Sequence, residues 1–384
     1  MVNVAIVGVG AISSAHIKGY QEFQGNCNIV ALCDIYPEKA KKSVKEYNLA
    51  AEVYDDYKEM LKRDDIDLVS VCTPPYTHAQ ISVDCLDAGK HVLVEKPMAS
   101  SLEECDAMNE AATRNNKILS VVAQNRFTNP MMKLKNVLNT KLMGAIVHTQ
   151  VDSYWWRGYS YYDLWWRGTW EKEGGGCTLN HAVHHIDIFK WMNGMPSEVT
   201  AVTSNASHDN AEVEDISVAI CRYDTGALAQ ITSSVIHHGE EQQLIFQGKN
   251  ARVSAPWKLK ASKSLENGFP EEDKELEEKI QKIYDEQQSI PYEGHTGQIH
   301  DVLLAVNGEN EVLIDGFQGR ETLELITAIY QSASLGQTIK LPLEKDAPFY
   351  TRDGVLKNTT YFFEKKNTVE NFLDNKITTG GNYE

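Results

Sequence analysis

"NVAIVGVGAISSAHIKGY", residues 3–20, begins as a short apolar strand, breaks at Gly8 and Gly10, and continues in a helical pattern. Strand, glycine turn and helix, in that order, are the context in which a G-x-G pair marks a nucleotide cradle. Gly8 permits the tight turn and Gly10 lets backbone approach a pyrophosphate. The helix start that follows, at Ala11 and Ile12, offers unpaired N–H groups to phosphate oxygens. Ser13 stands where the third glycine of such a fingerprint falls, and a small residue there allows close helix–strand packing.

The next strand pattern, "NIVALCDIY" (28–36), carries Asp34, 24 residues after Gly10. A carboxylate at that place accepts hydrogen bonds from adenosine ribose hydroxyls and repels a 2′-phosphate, which neither Ile35 nor Tyr36 could receive; NAD is therefore expected over NADP. The competing reading is an aspartate that merely ends a strand in a turn. Helical patterns follow at 37–48, 55–63, 77–88 and 101–115. They alternate with the strands "DLVSVCTPP" (67–75), "HVLVEKP" (91–97) and "KILSVVAQN" (117–125). Such alternation predicts a doubly wound parallel sheet with helices on both faces, its ligand beyond the carboxyl ends of the strands. Thr73, Pro74, His78, Glu95, Lys96 and Asn125 fall at those ends and are expected beside the cofactor. Lys96, with Pro97 biasing its backbone away from the helical region, is expected to point into the crevice. The alternative is a lysine that snorkels to solvent.

With 384 residues the chain is long enough for two domains. A formal charge of −17 and the lack of any Lys/Arg cluster argue against nucleic acid. No apolar run approaches a membrane span of about 18 residues. The N-terminus lacks a basic n-region, so no signal peptide is expected. Seven scattered cysteines without a C-x-x-C pair suit reduced thiols in a cytoplasm.

After Asn125 the alternation ends. A helix near 130–139 leads into strand patterns at 144–156, 198–205, 215–236 and 241–257, with a turn at Asp224-Thr225-Gly226. These predict a mostly antiparallel sheet. The acidic stretch 271–288 reads as a solvated helix. Two segments stand out between these strands. "SYWWRGYSYYDLWWRGTW" (153–170) holds five of the chain's seven tryptophans, with Tyr154, Trp156, Arg157, Tyr162, Trp166 and Arg167 as candidate substrate contacts. Rings with polar ends stack on the apolar faces of sugars, while the same residue types are also enriched at subunit interfaces.

"GGGCTLNHAVHHIDIFKW" (174–191) places three histidines and an aspartate within seven positions. On a helix beginning near Leu179, residues Asn180, His184 and Asp187 share one face, with His181 and His185 on the neighbouring stripe. Histidines at such spacing can ligate zinc, but "HAVHH" lacks the HExxH glutamate and no cysteine pair is near to complete the set. No metal is expected here. Core histidines remain the plain alternative, above all for His181 and His185.

"GVGAIS", "CTPPYTH", "EKP" and "GGG…N…H…D" occur in the order found in the glucose–fructose oxidoreductase, inositol dehydrogenase and rhizopine-catabolism (Gfo/Idh/MocA) family, which the chain resembles through residue 343. The resemblance implies a Rossmann domain over 1–125 and, over 126–345, an α/β substrate-binding and oligomerisation domain with a large open sheet. Residues 346–384 would form an extension that packs back or lies at a subunit interface. It also implies a catalytic pair, Lys96 and His184, with Asn180 where the family usually carries aspartate; an amide holds a substrate hydroxyl but cannot relay its proton. The expected activity is NAD-dependent oxidation of a secondary hydroxyl of a sugar, glycoside or cyclitol. A sensor that binds NAD and sugar without turnover and an NAD-assisted glycoside-cleaving enzyme are the rivals. A homodimer or homotetramer is expected, because an open sheet face calls for a partner.

Overall fold

The computed structural model describes residues 1–370 and 372. Its first sheet is built from β1 (Val2–Val7), β2 (Cys27–Cys33), β3 (Glu52–Tyr54), β4 (Leu68–Val71), β5 (His91–Val94) and β6 (Leu119–Val121). These pair in the order β3-β2-β1-β4-β5-β6, every pair parallel. Strand order reverses beside β1, so the crevice of a doubly wound sheet lies between the ends of β1 and β4. β4 is buried along its whole length, as a strand covered on both faces must be.

The helices between these strands begin where local chemistry supplies a cap. Leu102–Asn115 starts at Ser101, whose hydroxyl accepts the N–H of Glu104, while the Glu104 carboxylate reaches back to the N–H of Ser100. The helix expected over 55–63 is a single turn, Tyr57–Met60, capped by Asp56 and preceded by the unforeseen edge strand β3. The pair Asp55-Asp56 marks a cap rather than a helix interior, because a short acid there competes for the backbone N–H groups.

The second sheet contains β7 (Ile146–Tyr154), β8 (Glu198–Ser204), β9 (Ile216–Arg222), β10 (Leu228–Ser234), β11 (Gln242–Gly248), β12 (Ala251–Ala255), β13 (Lys258–Ser264), β14 (Pro270–Glu272) and β15 (Ile339–Lys340). They lie in the order β14-β13-β12-β11-β7-β10-β9-β8-β15 and are antiparallel except for the β7–β10 pair. β9 alternates strictly: Ser217, Ala219 and Cys221 are buried, while Val218 and Ile220 face outward and are exposed. One face is therefore covered by helices Val183–Asn193 and Gly316–Leu335, and the other is open.

Two helices tie the sheets together. Gly316–Leu335 packs on β8 and on β6, where Gly319 comes so close that a Cβ would lie 2.5 Å from the Val121 side chain. Gly294–Val306 returns to lie on helix Ser13–Gln21, and its Gln298 side chain bonds the backbone of Val121 and Ala123. The acidic stretch forms helix Lys274–Asp285, with only Ile280 buried. Beyond helix Arg352–Asn358, residues 360–370 run along the aromatic segment: Val369 donates to the Asp163 carbonyl and accepts from the N–H of Trp165. All seven cysteines are buried and unpaired. Among the described residues no helix is long and apolar enough to cross a membrane.

Candidate active site

The glycine turn has the shape of a cradle. Gly8 sits at φ +90°, and a Cβ there would lie 2.7 Å from the backbone of Cys72, so only glycine fits. Gly10 opens onto free space, with Ala11 exposed beside it and Ile12 half-buried as the residue preceding helix Ser13–Gln21. Ser13 takes the place of a third glycine by folding its hydroxyl back onto the Gly10 carbonyl at 2.7 Å. Asp34 follows β2; its carboxylate accepts the N–H of Val9 at 2.7 Å and of Tyr36 at 2.8 Å. That fixes a half-buried anion at the lip of the turn, and the residues fit a dinucleotide with free ribose hydroxyls.

Thr73 and Pro74 lie in the turn after β4, both half-buried. His78, expected beside the nicotinamide, does not reach the crevice. Its ring is fully buried, bridging the carbonyls of Thr73 and Pro97 at 2.7 and 2.8 Å, and so it pins two crevice loops together from below. Glu95 is also turned away: its carboxylate meets His16 Nε2 at 3.0 Å, His295 Nε2 at 3.4 Å and the N–H of Lys96 at 3.2 Å. The two imidazoles hold this carboxyl well below the usual range against the opposing pull of burial. Among the described residues His16, Glu95 and His295 are the one group whose donor atoms could converge on a metal, all within 4.8 Å. The "HAVHH" imidazoles do not form such a group. Asn125 sits in the turn Gln124–Phe127, its carbonyl accepting the Thr128 hydroxyl at 3.0 Å.

Lys96 reaches across to the second sheet's helices, where Nζ donates to the main-chain carbonyl of Asn180 at 3.0 Å. The continuous helix expected from Leu179 is interrupted: one turn, Cys177–Asn180, precedes helix Val183–Asn193. In an unbroken helix the Asn180 carbonyl would accept the N–H of His184; at the break it accepts the ammonium instead. The Asn180 amide nitrogen turns back to the carbonyls of Gly175 and Gly176 at 2.9 and 3.3 Å. Two of the three glycines leave no room for a side chain. A Cβ on Gly176 would collide with the Glu214 carbonyl, and one on Gly175 with the Tyr330 hydroxyl.

Three imidazoles leave the break in three directions. His185 is core, bonded to Ser153 at 2.8 Å and held neutral by burial, its pKa down to about 4. His181 lies against Trp155 and Tyr161, its buried Nδ1 without a hydrogen bond. His184 borders the same pocket as Lys96, Met98 and Asp187. Burial and the neighbouring ammonium hold His184 well below the usual imidazole range; burial also lowers Lys96. Asp187 is not turned to a substrate. It takes a two-pronged ion pair from the fully buried Arg126, 2.7 Å on each side, and the Thr322 hydroxyl at 2.9 Å. Arg126 carried no sequence signal, being a lone arginine in a turn.

The aromatic segment divides. Trp155, Tyr162 and Trp170 are buried, so Tyr162 cannot be the surface contact expected of it. Its neighbour Tyr161 is half-buried, and the Arg167 guanidinium stacks on it and bonds its hydroxyl. Arg167 also stacks on Trp166, and Arg157 packs over Trp155. Tyr154 stacks flat on His237, and Trp156, 45 % exposed, on His238.

A family model described as an oxidoreductase family with an NAD-binding Rossmann fold matches residues 2–123, and the family's C-terminal α/β domain matches residues 135–341. The chain belongs to the Gfo/Idh/MocA oxidoreductase family. Its first sheet is thus an NAD-binding Rossmann fold. Among solved structures of similar fold is the WlbA dehydrogenase of Bordetella pertussis in complex with NADH and UDP-GlcNAcA. It is 28 % identical, with a TM-score of 0.77, over 89 % of this chain and 98 % of that one. The D-glucoside 3-dehydrogenase of Escherichia coli is 24 % identical over 88 % of this chain and 97 % of its own. A 28 % identical match to the 1-carboxy-3-chloro-3,4-dihydroxycyclohexa-1,5-diene dehydrogenase of Comamonas testosteroni spans 63 % of this chain and 60 % of that protein.

Proposed function

We propose that this Gfo/Idh/MocA protein oxidises a secondary hydroxyl of a sugar, glycoside or cyclitol to the ketone, with NAD as acceptor. One observation carries the reading. Lys96, at the carboxyl end of β5, donates to the freed carbonyl of Asn180 one turn before His184, and both side chains border one small cavity beside Met98 and Val183. Bound NAD supplies the acceptor for the carbinol hydride. The turn Gly8–Ser13 and Asp34 hold it, with Thr73, Pro74 and Asn125 along the crevice.

His184, kept neutral by burial beside an ammonium, takes the hydroxyl proton. Lys96 stabilises the alkoxide as it forms. Asn180, whose side-chain oxygen carries no hydrogen bond among the described residues, accepts one from a neighbouring hydroxyl. Tyr161, Trp166, Arg167 and Arg157 orient the ring from the aromatic segment, and exposed Trp156 and Tyr154 extend that platform. The relatives' names, dehydrogenases of a glucoside and of a cyclic diol, support a hydroxylated ring as substrate.

Two further features belong to the reading. The open face of the second sheet, with Val202 70 % and Ile220 55 % exposed, is covered by another copy of the chain in a homodimer or homotetramer. Seven unpaired cysteines suit a reducing cytoplasm.

The test is a panel of sugars, glycosides and cyclitols incubated with NAD, followed by the absorbance of reduced nicotinamide and mass spectrometry of products. A ketone formed with equimolar reduced cofactor is expected. NAD binding with no reduction on any member would favour a sensor, and release of an aglycone would favour glycoside cleavage; either result contradicts the dehydrogenase reading.

A further inference from the structure

We infer that the substrate is an anion, carrying a carboxylate or phosphate group that Arg157 and Arg167 hold beside the reacting hydroxyl. The inference rests on the dehydrogenase reading for the reaction, but its charge argument is independent. Arg157 and Arg167 approach the same phenol, Tyr161, from two sides, with guanidinium carbons 5.7 and 4.2 Å from the ring centre. Arg167 also donates to its hydroxyl. Bringing two cations onto one neutral phenol in a half-buried place raises their mutual repulsion. An anion seated between them turns that repulsion into attraction.

The counter-charges present leave room for it. Arg157 meets Glu240 at 2.5 Å and Arg167 meets Glu173 at 3.1 Å, each through Nη1 alone. Neither guanidinium forms the two-pronged pair that Arg126 makes with Asp187, so each keeps part of its fork for a further oxygen. The Glu173 carboxylate is itself drawn off by the Gly168 N–H at 2.5 Å, and burial pushes its pKa up to about 7. His181 lies against Tyr161 with its buried Nδ1 unpaired, and Arg157, Lys96 and Arg167 all act on it as positive neighbours. Tyr161, which carries both arginines, is in ring contact with His181, the residue after Asn180, whose carbonyl takes the Lys96 ammonium; on our inference, one small molecule presents a hydroxyl to Lys96 and His184 and an acid group to the arginines. Guanidinium forks match the planar geometry of carboxylates and the oxygens of phosphates, which a lysine pair would not do as selectively.

The experiment uses matched sets: galactose with galacturonate and galactose 6-phosphate, glucose with glucuronate and glucose 6-phosphate. Binding to the NAD-loaded full chain is measured by calorimetry, and turnover by reduced-cofactor absorbance. In the wild type at least one acid binds about tenfold tighter than its neutral parent, the uronate or phosphate arm identifying which group is read. Arg157→Gln and Arg167→Gln each shrink that ratio about tenfold, and Arg157→Lys and Arg167→Lys, which keep the charge, recover it in part. Neutral parents that bind as well as every acid overturn the inference, as does an acid preference that survives in both Gln variants. Selective acid binding without cofactor reduction would leave the inference standing and remove the dehydrogenase reading; reduction by neutral sugars alone would do the reverse.

Discussion

Helix Val183–Asn193 carries two neighbouring polar clusters, one around Asp187 and one around His184, and the two are built oppositely. Asp187 is closed: Arg126 and Thr322 satisfy its carboxylate, and Gln318 takes the remaining Arg126 nitrogen at 2.5 Å. One turn earlier, the side holding His184, Lys96, Asn180 and His181 is open. It has an imidazole nitrogen, His181 Nδ1, without a partner among the described residues and a lysine resting on a carbonyl that a helix break has released. A fully paired buried network fixes a fold, whereas donors and acceptors without protein partners are available to a ligand. The Arg126–Asp187 side therefore sets the position of the helix, and the Lys96–His184 side uses it.

The largest effects should separate the two sides by kind. Lys96→Ala and His184→Ala are each expected to lower turnover about 10²–10⁴-fold, with NADH binding retained. Loss of cofactor binding in either variant would place that residue in the fold or the cofactor site instead. Arg126→Ala should instead cost about 3–5 kcal/mol of stability in denaturant melts, because it leaves Asp187 buried and unpaired. Arg126→Met combined with Asp187→Leu should recover most of that loss. A stable Arg126→Ala protein would break the contrast.

A smaller effect concerns the cradle. Asp34→Ala removes an acceptor for ribose hydroxyls and frees the Val9 N–H, and NADH affinity by fluorescence titration should fall about tenfold or more. Unchanged affinity would leave Asp34 as a turn residue.

The smallest is a pH effect at the rim of the open side. Burial raises Glu173 to about 7, so between its ordinary value and 7 the folded chain keeps a proton that the unfolded chain has lost. The stability it contributes is full below the ordinary carboxyl range and declines as pH rises through 7. Glu173→Gln is uncharged throughout, so its Tm relative to wild type should improve from about pH 5 to about pH 8. A pH-independent difference would contradict this.

The nucleotide half was legible because its signals are local: a glycine turn between a strand and a helix, an acid at the next strand's end, and prolines after two more. Successive strand patterns joined by turn residues such as Asp224-Thr225-Gly226 likewise announced the second sheet. What stayed hidden depends on contacts between distant segments. His78 looked like a crevice residue, and only the partner carbonyls of Thr73 and Pro97 reveal it as a tie beneath the crevice. Helical spacing grouped Asn180, His184 and Asp187; the break at 181–182 sets Asn180 apart, and Arg126, 61 residues away from Asp187 in sequence, occupies the Asp187 carboxylate. Tyr161 and Tyr162 are adjacent and chemically identical, so nothing in the string says which is core.

The most direct test of the central proposal, that Lys96 and His184 act on one alcohol oxygen, is the turnover of the Lys96→Ala, His184→Ala double variant against the two singles on the same substrate. Groups that act as a unit lose their effect together, so the double variant should be about as slow as the slower single. Two losses that multiply would mean that the residues serve separate steps, and near wild-type turnover in either single would remove that residue from the chemistry.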